Sequence, residues 1–556
     1  MTQSTDCLLI GHNQVPFDQY EATLRKMGEN SGAYRDLAVN TIRWQGGTWN
    51  PADLFNSVCV GNAGRPIEKI RGVEVLSAAI AYLGTYLTRR GMTFDYVNSF
   101  QDDKAELARK LENDDIRTVA IISTLYITAF PVLEIIDFVR RHNDSIKILV
   151  GGPFVTTKVR TLDREPLEYL LRSVGADVFV NSSQGEATLV RILETMKNGG
   201  DLSEVPNVYY KSGKSYVQTP TVGENNPIED NMVDWSLFDS RRVPRFVNVR
   251  TAISCPFSCS FCGFPEHAGE YQYASVERVE EELNSLSRCI HPLTNVTFTD
   301  DTFNIPPKRF KELLRMMIKN DYGFTWSAFF RCQFADEETV KLMAESKCES
   351  VFLGLESADN IVLRNMNKAA SVEDFRRGID LLKRYGIVSF ANFVVGFPGE
   401  TEETVDETIA FIDESGIDFF RAQVWYCEHI TPVWRERERY ELTGESFEWK
   451  HSTMDSRTAA DMVKKIVLTV KNTTRLPQYY FDYDNVMQLT HKGVTLAQVK
   501  QFMRSYDDGV KEKLRDPTRD EASFEVLRGI LSSVREAPAQ AAAGLVVPSA
   551  EADFTF

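Results

Sequence analysis

The run Cys255-Pro256-Phe257-Ser258-Cys259-Ser260-Phe261-Cys262 constrains this chain more than any other stretch. Cysteines spaced four and then three residues apart must share one short loop. A loop that gathers three thiols can hold three corners of an iron–sulfur cube and leave the fourth iron open to another ligand. Structural zinc is the competing use, but it takes four protein ligands, often as two close pairs. No second cysteine or histidine pair follows at short range, and His267 is the only spare residue nearby. The stretch 246–254, rich in β-branched and aromatic residues, reads as the strand that delivers the loop. The remaining cysteines, Cys7, Cys59, Cys289, Cys332, Cys348 and Cys427, are scattered singly and read as small buried hydrophobes of a reducing compartment.

The rest of the chain has room to build around such a loop. Its 556 residues, 43% hydrophobic and 26% charged, suit roughly two to four globular domains. No run approaches the roughly 18 apolar residues of a membrane span, and Met1 to Cys7 lacks the features of a signal peptide, so a cytoplasmic location without a membrane partner is expected. A formal charge of −16 argues against nucleic acid as the main partner, since phosphate binding wants a basic face.

Upstream of residue 207 the pattern alternates. Residues 6–13 read as a buried strand stopped by glycine, and 14–71 as an insertion after it. Residues 75–90 read as a helix closing on Gly91, 93–97 as a strand, 104–113 as a helix and 118–122 as a fully apolar strand. That strand runs into Ser123, Thr124 and Leu125. The apolar strand at 147–150 runs into Gly151, Gly152 and Pro153, and 177–180 into a loop ending in Gln184, Gly185 and Glu186. Strands alternating with helices predict a doubly wound parallel sheet in an α/β fold, with the ligand beyond the carboxyl ends of the strands. Taken singly these loop residues are ordinary turn formers; three such loops, each directly following an apolar strand, predict a binding site.

Downstream, strands at 295–303, 324–331, 350–357 and 389–399 each precede a helical stretch, which predicts a partial (β/α)6 barrel with its site at the strand ends. Candidates there are Asp300, Asp301, Arg331, Glu356, Ser357 and Gly396. Each has a plainer use: the aspartates as cap and turn residues, Glu356 as surface charge, Arg331 as partner to a buried carboxylate, and Gly396-Phe-Pro-Gly399 as a turn.

Cys255, Cys259, Phe261 and Cys262 match, position by position, the signature of the radical S-adenosylmethionine (SAM) superfamily, which the chain resembles. Gly354, Glu356 and Ser357 match a Gly-x-Glu-Ser element of these proteins. The resemblance implies a [4Fe-4S] cluster on the three cysteines, with SAM chelated at the open iron. It also implies that Asp300 and Asp301 lie on the loop facing the methionine and ribose, and that Gly396 lies in the turn supporting the adenine. The upstream sheet is similar to the cobalamin-binding domain of one branch of these enzymes, which implies cobalamin over Ser123, Gly151 and Gly185. The Asp-x-His-x-x-Gly loop that ligates cobalt from below is absent: His12 is followed by Asn13-Gln14-Val15, so the lower face is expected to lack a histidine, with Arg65 and Arg71 as candidates to cover it.

The expected division is 1–207 for cobalamin, 208–244 as linker, 245–424 as radical SAM barrel, 425–535 as a mainly helical substrate region and 536–556 as a disordered tail. Tyr426 and His451, in an aromatic region that roofs the barrel in the family, are expected to be catalytic. The organisation looks most like the PhpK-type phosphinate methyltransferase branch. What it implies is a methyl group moved from SAM via methylcobalamin to an unactivated carbon or a phosphinate phosphorus of a natural-product intermediate. A flavodoxin- or ferredoxin-type electron donor is implied as partner. The same cofactors also serve non-methylating rearrangement or cyclisation, the alternative kept open.

Overall fold

The computed structural model describes residues 4–535 apart from 29, 63–65, 125 and 127. Arg65, Leu125 and the expected tail therefore lie outside the described residues. The chain divides into two compact units, one of Met1–Val39 with Arg71–Thr474 and the other of Asn40–Ile70 with Arg475–Phe556.

The first unit contains two sheets. The N-terminal one is built from β1 (Cys7–His12), β2 (Phe94–Ser99), β3 (Thr118–Ile122), β4 (Lys147–Gly151) and β5 (Val178–Val180), all parallel. Their order across the sheet is β5-β4-β3-β1-β2, the flavodoxin-like arrangement, whose chain direction switches between β1 and β3. Fully apolar strands such as β3 form because helices cover both faces, so both sides of the pleat are buried. Two expectations change. Residues 208–218 are not free linker: β6 (Val208–Ser212) pairs antiparallel with β5, and β7 (Ser215–Gln218) pairs with β6, extending this sheet. Val75–Leu76 is not the start of a helix; it pairs in parallel with Phe246–Val247 at the edge of the second sheet, and the helix begins at Ala78.

The second sheet is the barrel. Six parallel strands follow in sequence order: β8 (Phe246–Val249), β9 (Asn295–Phe298), β10 (Thr325–Phe330), β11 (Cys348–Glu356), β12 (Val388–Val395) and β13 (Phe419–Val424). The intervening helices start where short polar side chains satisfy the first free N–H groups. Ser275 and Asp336 accept from Arg278 and Thr339, while Ser371 and Thr401 form capping boxes. The register slips between Gly354 and Glu356, and Glu356 takes a φ of +69°, so the end of β11 bulges and re-aims this carboxylate.

In the second unit, a hairpin of Ile42–Trp44 with Gly47–Trp49 accompanies the helices Tyr483–His491, Leu496–Arg515 and Phe524–Arg535. The expected 14–71 insertion is thus divided: Phe17–Lys26 and Gly32–Ala38 belong to the first unit, whereas Asn40–Ile70 belongs to the second. No helix among the described residues is long and apolar enough to cross a membrane.

Candidate active site

The carboxyl ends of the N-terminal strands and the start of the barrel enclose a cavity of about 530 Å³, within the range of small-molecule and cofactor sites. From the first sheet, Thr124, Gly151, Gly152 and Pro153 line it, as do Gln184, Gly185 and Glu186. Ser123 lies beneath this surface, fully buried, its hydroxyl donating to the Gly151 carbonyl at 2.7 Å. Gly152 has a φ of +115°, and a Cβ there would stand 2.9 Å from Ser123 Oγ. Only glycine lets these two strand ends approach so closely. Gln184 Oε1 accepts the Asn226 N–H at 2.8 Å, and the Asn226 amide donates to Glu186 at 3.1 Å. Burial pushes the Glu186 carboxyl up, against the pull of the Arg250 charge.

The barrel side supplies Asn248, Arg250, Ser254 and Asp301. Asn248 Oδ1, Arg250 Nε and Ser254 Oγ are buried without hydrogen-bond partners, as is Nε2 of His12 at the end of β1. Buried polar atoms left unpaired are costly, so four of them around one cavity fit a polar occupant. Arg250 also lies 4.0 Å over the Tyr82 ring, whose hydroxyl donates to the Arg250 carbonyl. Burial takes the His12 imidazole down to about 4, leaving it neutral. Burial, then the neighbouring Asp300 charge, pushes Asp301 up to about 7. Arg250, Tyr82 and Asn248 escaped the sequence reading; a cation at the end of an apolar strand was the one available signal.

The cysteine loop adjoins the cavity through Ser254, whose φ is +66°, and through Phe264 and His267 of the following short helix. Its backbone is pinned from several sides: Ser260 N–H donates to the Met366 carbonyl at 2.8 Å, and Asn367 Nδ2 donates to the Ser258 carbonyl at 2.8 Å. The Phe264 N–H lies 3.4 Å from Cys262 Sγ, and Thr302 Oγ1 lies 3.5 Å from Cys255 Sγ. Arg331 Nη2 lies 3.2 Å from Cys259 Sγ. Cys259 and Cys262 thus each face an N–H donor, which fits thiolate ligation, the state an iron cluster requires, while the Thr302 hydroxyl beside Cys255 donates to the Asp301 carbonyl at 2.7 Å. Among the described residues, no group of three Cys, His, Asp or Glu side chains is arranged to hold a single metal ion. Phe261 meets Phe397 edge-on at 6.4 Å between centroids, with Lys368 above its ring at 5.6 Å.

Other predicted site residues have different surroundings. Asp300 is buried and accepts from Thr251 N–H at 2.6 Å, Thr251 Oγ1 at 2.5 Å and Ala252 N–H at 2.9 Å, so it latches the strand that carries the cysteine loop. Glu356 pairs with Lys368 at 3.0 Å, and Asn392 donates to its other oxygen at 3.3 Å; the two charged side chains are 8% and 6% exposed. Ser357, fully buried, accepts the Asp359 N–H. Gly396 has a φ of +95°, and a Cβ on it would strike Trp449 at 2.5 Å. His451 is buried against Trp449, its Nε2 donating to the Gly396 carbonyl at 2.9 Å while Nδ1 accepts from Thr453. Both ring nitrogens are therefore occupied, Nε2 in holding the Gly396 turn and Nδ1 within its own loop. Tyr426 stands edge-on to Phe447 at 5.0 Å. Neither Tyr426 nor His451 is among the residues lining the cavity.

Residues 250–412 match the model of the radical SAM superfamily. The fold resembles that of the radical SAM methyltransferase TsrM from Kitasatospora setae, solved with cobalamin and a [4Fe-4S] cluster bound. The TM-score is 0.59 at 17% identity, over 81% of this chain and 98% of that one. It also resembles the cobalamin-dependent radical enzyme OxsB, solved with aqua-cobalamin and SAM, at a TM-score of 0.56 and 14% identity over 83% and 76% of the two chains. The chain therefore shares the fold of these two cobalamin-binding radical SAM enzymes and carries the radical SAM superfamily match over its barrel. Among curated relatives, an uncharacterized methyltransferase of Pyrococcus horikoshii is 28% identical over 367 residues, 64% of this chain and 76% of that protein. The anaerobic magnesium-protoporphyrin IX monomethyl ester cyclase of Rubrivivax gelatinosus is 29% identical over 352 residues, 60% of each chain.

Proposed function

We propose that this enzyme methylates a small molecule at an unactivated carbon or at a phosphinate phosphorus, in the manner of the PhpK-type branch, with one-electron reduction by a flavodoxin- or ferredoxin-type protein. The observation that carries the reading is one shared cavity, bounded by Gly152 and Gln184 on one side and by Arg250, Ser254 and Asp301 on the other. When bound, the cluster and SAM supply a carbon-centred radical and cobalamin carries the methyl group. The protein's own contribution is placement and exclusion of water. Cys255, Cys259 and Cys262 hold the cluster, the glycine-lined strand ends admit cobalamin, and Asp300 fixes the loop between them.

Residues 1–207, without Asn40–Ile70 of the second unit and with the β6–β7 edge added, and residues 245–424 are assigned to these two tasks, and 425–535 to the substrate. Within that last region Tyr426 keeps a substrate-side role. His451 acts through the Gly396 turn it holds.

Anaerobic reconstitution with iron, sulfide and cobalamin, followed by incubation with SAM and candidate substrates, tests the reading. Methyl transfer yields S-adenosylhomocysteine together with 5′-deoxyadenosine. Deoxyadenosine without S-adenosylhomocysteine would instead establish the second reading, a rearrangement or cyclisation, which the likeness to the protoporphyrin ester cyclase favours.

A further inference from the structure

We propose that Arg331 sets the reduction potential of the cluster through a charge-assisted N–H···S bond to the Cys259 thiolate, a role that rests on the cysteine loop holding an iron–sulfur cluster. Each of the three thiols has one neighbouring hydrogen-bonding group, and they are not equivalent. Cys262 has the Phe264 backbone N–H at 3.4 Å, and Cys255 has the Thr302 hydroxyl at 3.5 Å. Among the described residues, a cation is hydrogen-bonded only to Cys259, with Arg331 Nη2 at 3.2 Å. Hydrogen bonds with an ionised partner are roughly twice as strong as neutral ones.

The guanidinium is built into place. Asn304 clamps the Arg331 backbone from both sides, accepting its N–H at 3.1 Å and donating to its carbonyl at 3.0 Å. The Arg331 guanidinium carbon lies 3.6 Å from the centroid of the Phe257 ring, which belongs to the cysteine loop itself. Arg331 is buried, and among the described residues its guanidinium is paired with the Cys259 sulfur and with no carboxylate. Its Nη1 is buried with no hydrogen-bond partner. The plain expectation of a structural ion pair is therefore not what surrounds this side chain, and its positive charge is directed at the sulfur.

The redox consequence follows from charge. A low-potential one-electron donor adds one electron to the cluster; no bond to the protein forms or breaks, and the added negative charge spreads over iron and sulfur. A fixed cation in a buried setting stabilises the reduced form more than the oxidised one, so it raises the potential. Lysine cannot reproduce the planar fork stacked on Phe257.

The test uses the full chain, anaerobically reconstituted, without SAM, as wild type, Arg331→Lys and Arg331→Met, by redox titration monitored by electron paramagnetic resonance (EPR). The expected result is unchanged iron content with a reduction equilibrium constant at least tenfold less favourable in Arg331→Met, about 59 mV for a one-electron couple, and an intermediate value in Arg331→Lys. Pulsed EPR of the reduced wild type labelled with [15N]arginine should show a nitrogen coupling that Arg331→Lys loses. Equal potentials with full clusters, or a labelled spectrum with no arginine coupling, overturns the proposal. If Arg331→Met assembles no cluster, the labelled wild-type spectrum decides. A wild type that binds no iron overturns the reading of the loop beneath it.

Discussion

Glu356 and Lys368 are the clearest case of chemistry fixed residue by residue. Their ion pair is buried, and a buried pair that loses one partner leaves an uncompensated charge, at a cost of about 3–5 kcal/mol. Lys368→Met should lower stability by that amount in denaturant titration, and adding Glu356→Gln should recover most of it. A single variant within about 1 kcal/mol of wild type would show that water reaches the carboxylate. The pairing was not legible in the sequence. Glu356 could be placed at a strand end, but its direction depends on the slip between Gly354 and Glu356, and the partner lies on the loop after the next short helix. The cysteines were legible because cluster binding demands local spacing, which the sequence displays directly. Arg331 lies between these cases: its position at a strand end could be read, while its sulfur partner requires the folded loop.

At the scale of elements, the strand-end turns do the positioning, and one of them reports on pH. After β12, Glu400 accepts the Gly396 N–H, and burial pushes its carboxyl up to about 8. Between its ordinary value of 4.5 and about 8, the folded state keeps the proton that the unfolded chain has released, so stability falls as pH rises across that window. Glu400→Gln removes this titration while keeping an acceptor for the N–H. Melting temperatures of variant and wild type should diverge in the variant's favour as pH goes from about 5 to 9; a constant difference would show that Glu400 ionises freely. Apolar strands flanked by helices were readable from period and composition. Val75–Leu76 was not: two residues carry no period, and their partner β8 is set by tertiary pairing alone. The β6–β7 hairpin, in a stretch expected as linker, was not readable as an edge of the first sheet.

At the scale of the molecule, the first unit joins a flavodoxin-like sheet and a parallel barrel around one cavity, and the account stands on that cavity holding cobalamin beside a cluster. The two groups use separate donors, so they should be separable by mutation. The direct measurement is iron and cobalamin content, by elemental analysis and visible absorption, of the anaerobically reconstituted wild type, of Gly152→Phe, and of the variant with Cys255, Cys259 and Cys262 all changed to Ala. The wild type should hold both. Gly152→Phe, crowding Ser123 and the cavity floor, should lose cobalamin and keep iron, and the cysteine variant should lose iron and keep cobalamin. Cobalamin retained in full by Gly152→Phe, or absent from a wild type that holds its iron, would contradict the account.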